Sequence, residues 1–150
     1  MANVKGGDKL DRVLADIARQ LGNGKASVQV GFMGNATEPD GTPVALVAAL
    51  NEYGTGKIPP RPFFRTMIDE HADEWPVNLA TALKSTKFNT VTSLGLVGLR
   101  IRDQLRRSIR DFSSPPNAPS TIARKGFNNP LIDTSTMLKS ATFKVNPGDL

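Results

Sequence analysis

The sequence predicts an α+β domain: a small, mostly antiparallel β-sheet packed against several α-helices, with an extended proline-rich arm and a long loop. Three observations predict it. Two short β-branched segments that alternate in polarity, Ser27–Phe32 and Ala141–Val145, lie near opposite ends of the chain. Between them run several stretches with apolar residues at helical spacing. Two segments rich in proline and glycine, residues 54–62 and 113–130, interrupt those stretches.

The first helix is read from Leu10, Val13, Leu14, Ile17, Ala18 and Leu21, with Asp8 as its cap and Gly22 and Gly24 at its end. It should bury one face, against its own domain or a neighbouring subunit. Ser27-Val-Gln-Val-Gly-Phe32 follows as a strand, with Val28, Val30 and Phe32 on one side. Residues 34–41 form a turn-rich loop. Thr42 then reads as an N-cap and Pro43 as the first helical residue of a second helix, closed by Gly54. That helix, with Val44, Leu46, Val47, Ala48, Ala49 and Leu50, is apolar nearly all round and should be the most buried element.

From Phe64 to about Leu83 the spacing is helical again, with Pro76 expected to kink or divide the run. A long helix over about Asn89–Phe112 carries Leu94, Val97, Ile101, Leu105, Ile109 and Phe112 on one face. Residues 113–130 are expected to be extended and irregular, ordered fully only by a partner. Thr134 or Ser135 caps a short helix through Met137 and Leu138. Ala141–Val145 is the last strand, and Val28–Phe32 its expected partner. Neither a repeat nor an interdomain linker is visible, so residues 1–150 are read as one domain, a usual size for one core.

Composition narrows the function. There is no cysteine, which removes disulfide scaffolds, thiol nucleophiles and cysteine-ligated zinc. The apolar run Val44–Leu50 is far short of the roughly 20 residues that span a bilayer, and Met1–Asp8 lacks a signal-peptide core. A soluble protein made in the cytosol, with no membrane partner, is expected. His71 is the only histidine and shares a helical face with Trp75, which suits packing better than catalysis. Gly54-Thr-Gly-Lys57 falls short of a phosphate loop, because position 51 is Asn and position 58 is Ile. No catalytic residue, metal ligand or cofactor site is expected, and the chain is read as not an enzyme.

The net charge is +5, and much of the excess lies in Arg100, Arg102, Arg106, Arg107 and Arg110. Arg102, Arg106 and Arg110 are candidates for contact with DNA in a channel or with an acidic protein surface. The alternative is a solvated helix face.

The segment Asn51-Glu-Tyr-Gly-Thr-Gly-Lys-Ile-Pro-Pro-Arg-Pro-Phe-Phe-Arg65 reads as a rigid arm with an amphipathic tip. Aromatic and arginine side chains are favoured interface anchors, and three prolines lower the ordering cost of binding. Tyr53, Ile58, Arg61, Phe63, Phe64 and Arg65 are therefore candidate protein-interface residues. The long loop adds Ile122, Arg124 and Lys125.

The arm resembles a pattern of small tailed-bacteriophage neck and tail-completion proteins, "(N/E)-x-(Y/F)-G-T-x-x-(I/M)-P-x-R-P-F-x-R". A second segment, Pro119-Ser-Thr-Ile-Ala-Arg-Lys-Gly126 with Pro130-Leu-Ile-Asp-Thr-Ser-Thr-Met-Leu-Lys-Ser140, resembles the ending of phage virion-morphogenesis proteins. Ser135 stands where that ending commonly has Gly, and Ala141 where it has Ile. The resemblance implies a structural virion protein at the head–tail junction, assembled in the host cytoplasm. It implies a homo-oligomeric ring, six- or twelve-fold, that terminates or completes the tail and joins it to the head. Its partners would be further copies of itself and neighbouring neck, adaptor or tail-tube proteins, with genomic DNA passing through the channel. The rival readings are a head–tail adaptor or collar protein contacting the portal and, in a different class, a non-structural nucleic-acid-binding protein.

Overall fold

In the computed structural model, the described residues are 7–22, 24–132 and 135–148. Their element order is α1 (Gly7–Leu21), β1 (Ser27–Phe32), α2 (Val44–Tyr53), α3 (Phe63–His71), a 3-10 turn (Ala72–Glu74), α4 (Trp75–Ser85), α5 (Thr90–Asp111), α6 (Pro119–Lys125), α7 (Thr136–Ser140) and β2 (Ala141–Asn146). The class is α+β, as the sequence predicts. The two strands pair antiparallel with Val28 opposite Val145 and Val30 opposite Phe143, so the partner named for each strand is the observed one.

Helix α5 is the axis of the domain. The sheet packs on one side of it, and α3 and α4 pack on another. Leu105 and Ile109 are fully buried, and Val97 and Ile101 nearly so. Its start is capped by the Asn89 side chain, which accepts from the Thr92 N–H at 2.9 Å. Gly98 is the contact point with the sheet. A Cβ there would lie 2.6 Å from Phe143 Cδ2 and 2.7 Å from Val28 Cγ2. Only a residue without a side chain lets β1 and β2 approach α5 so closely.

Pro76 divides the run from Phe63 to Ser85 without bending a continuous helix. The chain tightens through Ala72–Glu74 and restarts with Pro76 in the first turn of α4, where its missing N–H costs nothing. Trp75 Nε1 donates to Gln104 Oε1 at 2.9 Å and pins this junction to α5.

Several expectations are corrected. Residues 113–130 are not all extended: Pro119 opens and Gly126, left-handed at φ 80°, closes the short helix α6. Helix α2 is not the most buried element. It buries Val44, Ala48 and Glu52 but turns Leu46, Leu50 and Tyr53 outward. Asp8 lies in the first turn of α1 and does not precede it. Pro43, not Thr42, holds the cap position of α2. Ser135 holds the cap position of α7 at φ 64°, with no hydrogen bond from its side chain to the helix. Thr134 lies outside the described residues. The apolar face of α1 is not covered within the domain: Leu10 is 59% exposed and Leu14 52%.

Candidate functional site

The arm is built from the end of α2 outward. Gly54 has φ 75° and ψ 176°, and a Cβ on it would sit 2.8 Å from the Ile58 carbonyl oxygen. A side chain there would block the turn. The Thr55 hydroxyl oxygen accepts from the N–H groups of Lys57 at 3.2 Å and Ile58 at 3.0 Å. The Thr55 N–H donates to the Ile58 carbonyl at 2.8 Å, and the Arg61 N–H returns to the Asn51 carbonyl at 2.7 Å. The segment is thus a closed loop folded against its own helix.

Glu52 is the pivot of the loop. It is 5% exposed in a mostly apolar helix. Its Oε2 accepts from the Phe64 N–H at 2.9 Å, and its Oε1 accepts from the Arg65 N–H at 3.2 Å and Arg65 Nε at 2.7 Å. Phe64 and Arg65 are the second and third residues of α3, whose own cap position holds Pro62 and makes no side-chain bond. Proline has no side-chain acceptor, so the N-cap of α3 is supplied from α2. A carboxylate suits the positive end of the helix dipole.

Arg61 is also buried, at 9% exposure. Its guanidinium donates to Asn51 Oδ1 at 3.3 Å and to the carbonyls of Pro115 and Pro116 at 3.4 Å each. Burial pulls its pKa below the ordinary guanidinium value, from which an arginine still remains charged. Phe63 is 1% exposed, edge-on to Phe32 with ring centres 6.3 Å apart. The Phe63 carbonyl accepts from the Ser108 hydroxyl of α5 at 2.7 Å. Arg61 and Phe63 were expected at the tip of a projecting arm. That expectation is corrected: both are enclosed by the rest of the chain.

The other candidates lie on the surface or line clefts. Tyr53 is 68% exposed, with the Arg65 guanidinium 5.3 Å from its ring centre. Phe64 is half-buried, and so is Ile58. Ile58, Asn51, Arg124 and Lys125 share a cleft of about 510 Å³ with Glu38 and Asp40. Lys125 Nζ donates to the Asn129 carbonyl at 2.8 Å and lies 5.1 Å from the Phe127 ring centre. Ile122 is half-buried on α6. The two segments that carry the resemblance therefore meet across this cleft, while Arg61 ties the first of them to residues 115–116, just ahead of the second.

The arginine stripe is largely occupied within the chain. Arg102 pairs with Asp103 at 2.7 Å and covers the Phe143 ring. Arg106 donates to the carbonyls of Lys139 and Ala141 at 3.2 and 2.9 Å, fastening the α7–β2 junction to α5. Arg110 pairs with Asp111 at 2.9 Å, which raises the arginine's pKa and lowers the carboxyl's. His71 Nδ1 meets Glu74 Oε1 at 2.9 Å. The hydrogen bond with His71 is the main cause holding Glu74 below its ordinary value. Among the described residues no group of three or more His, Asp or Glu side chains is placed to hold a metal ion. Nor is any helix among them long and apolar enough to cross a membrane.

No family model, curated protein or solved structure matches the chain.

Sequence reasoning missed Glu52 as a cap. The available signal was a lone carboxylate ending an apolar helix, followed by a helix whose own cap position is proline. It also missed that Leu46, Leu50 and Tyr53 would form an exposed apolar stripe along α2.

Proposed function

We propose that this chain is a structural virion protein of a tailed phage, acting at the head–tail junction. In this reading, copies form a ring that terminates or completes the tail and joins it to the head. The reading rests on the resemblance of residues 51–65 and 119–140 to neck and tail-completion proteins. One observation carries it further: those two segments, far apart in sequence, face each other across one cleft.

A ring needs two different patches per subunit. The α2 stripe of Leu46, Leu50 and Tyr53 offers one apolar patch, with Arg65 beside it. Arg124 and Lys125 at the α6 cleft offer a polar contact for a neighbouring neck, adaptor or tail-tube protein. Arg102, Arg106 and Arg110 direct hydrogen bonds into their own chain, which leaves the nucleic-acid reading without a specific observation in its favour.

The test is electron microscopy of virions carrying this protein with a C-terminal tag. Label between capsid and tail is the expected result, and the side on which it lies separates a tail-completion from a portal-adaptor station. Unlabelled virions, with the tagged protein free in the lysate, would overturn the reading.

A further inference from the structure

The geometry points to self-docking of α1: the apolar stripe of α1 from one copy seats in the apolar groove between β1 and α3–α4 of a second copy. The groove holds about 500 Å³ and is floored by Leu94, Val97 and Ile101 of α5. Val28 and Val30 form one wall, and Ile68, Trp75 and Leu79 rise on the other. Every residue lining it is apolar or aromatic, so no buried charge or amide asks for a polar ligand. It runs on, through Phe64 and Ile68, into a smaller cleft of about 330 Å³ beside α2.

The same chain carries a matching ridge. Leu10, Val13 and Leu14 of α1 are 59%, 46% and 52% exposed and lie on one helical face with Ile17 and Leu21. A convex helix fits a concave groove by ordinary ridge-and-groove packing, which the convex α2 stripe does not offer. Helix α1 is anchored at its C-terminal turn to the start of α5, and its apolar stripe stays exposed. The Thr90 hydroxyl donates to the Gln20 carbonyl at 2.7 Å, one turn before Leu94 on the groove floor. The α1 stripe and an empty groove are thus displayed at once, an arrangement that a neighbour can complete.

The polar face of α1 favours a protein occupant over a membrane. Between Asp8 and Arg19 it carries Asp8, Asp11 and Asp16 against Lys9, Arg12 and Arg19, a balanced set in which Asp16 pairs with Arg19. A helix lying on an anionic bilayer would carry a basic excess there. Size also bears on the form of the contact. A 15-residue helix is about 22 Å long and buries roughly 700 Å² in total with one groove, below the usual range for a stable pair. Each copy can donate one helix and receive another, so a closed assembly doubles the contact per chain. The association should be weak as a single pair and firm only when closed.

This inference rests on the ring reading only in taking a second copy as the occupant. Its test uses purified protein, and microscopy of virions tests the station separately. The chain has no cysteine, so introduced thiols report cleanly. Leu10→Cys and Leu14→Cys lie one turn apart on exposed positions, and Ala72→Cys and Leu79→Cys sit in the groove. Mixing an α1 variant with a groove variant under mild oxidation should form a disulfide-linked dimer about tenfold faster than the same α1 variant with Ser120→Cys on α6, because docking raises the local thiol concentration. Equal rates for all pairs would overturn the inference. So would a Leu14→Cys/Ala72→Cys double variant that closes only within the monomer. As a second readout, Leu10→Glu/Leu14→Glu changes only exposed positions and should keep the parent circular dichroism. It should lose any concentration-dependent sedimentation that the parent shows. A parent and variant with identical self-association would also refute the docking.

Discussion

Glu52 offers the sharpest test of how the arm is held. In Glu52→Ala the Phe64 and Arg65 N–H groups of α3 lose their acceptor. Loss of a helix N-cap costs about 1 kcal/mol. The bonds are charge-assisted and part-buried, which adds roughly 2 kcal/mol. The total of about 3 kcal/mol corresponds, at roughly 2–4 °C per kcal/mol for a domain of this size, to a Tm drop of about 6–12 °C. Glu52→Gln keeps one acceptor oxygen but loses the charge and turns an amide donor toward a donor. It should fall by about half as much. The contribution of the ion pair alone is isolated by Arg65→Ala. The Arg65 side chain is 55% exposed, so solvent screens the pair and the loss should stay below about 1 kcal/mol. Urea unfolding followed by circular dichroism measures all three. If Arg65→Ala destabilises as much as Glu52→Ala, the interaction is a salt bridge and not a cap, and the reasoning fails. A Glu52→Ala protein within about 0.5 kcal/mol of the parent would refute it outright.

Three further predictions follow from packing and charge. Gly98→Ala should destabilise by about 1–3 kcal/mol, because its Cβ meets Phe143 and Val28, whereas Gly95→Ala meets nothing within 4 Å and should stabilise α5 by about 0.5–1 kcal/mol; paired urea melts decide. Phe63→Ala should cost about 3–5 kcal/mol, while Tyr53→Ala should leave the isolated chain within about 1 kcal/mol of the parent and, on the ring reading, lower the yield of joined particles. The Asp40 carboxyl is held below its ordinary value by the Thr42 N–H, that of Glu74 first by His71, and that of Asp111 first by Arg110. A depressed folded pKa stabilises above the unfolded value and loses that contribution as pH falls through the folded one, so Tm should decline below about pH 4, and less steeply in Glu74→Gln.

What the sequence made legible was periodicity and punctuation. Alternation identified both strands, and the absence of any other candidate strand paired them correctly. Pro76 marked a real division, and the apolar face assigned to α5 is the buried one. Proline before and glycine after α6 were present too, but the density of prolines around them read as extended chain. Periodicity says that a face is apolar and is silent on what covers it. That is why the outer side of α2 was expected to be buried and is exposed, and why the sequence left open whether the α1 face meets its own chain or a neighbour.

Phe63 and Phe64 show the same limit at single-residue scale. Neighbouring residues on a helix point about 100° apart, so only one of the pair can face the core squarely. Which one depends on the rotational phase of α3, and that phase is set at its first turn by Glu52 and by the Ser108 bond to the Phe63 carbonyl. Both partners lie outside α3 itself, so no reading of its own sequence could choose. The consequence reaches the function. A segment of prolines, aromatics and arginines looks like a binding arm because rigidity and amphipathic side chains serve recognition. Here the same properties serve recognition within the chain: Arg61 grips the 115–116 carbonyls and Phe63 fills the core. On the ring reading, loss of particle assembly on mutating Arg61 or Phe63 would therefore report folding. Evidence for a subunit contact has to come from positions that the isolated chain leaves exposed, Tyr53 on α2 and Leu10 and Leu14 on α1.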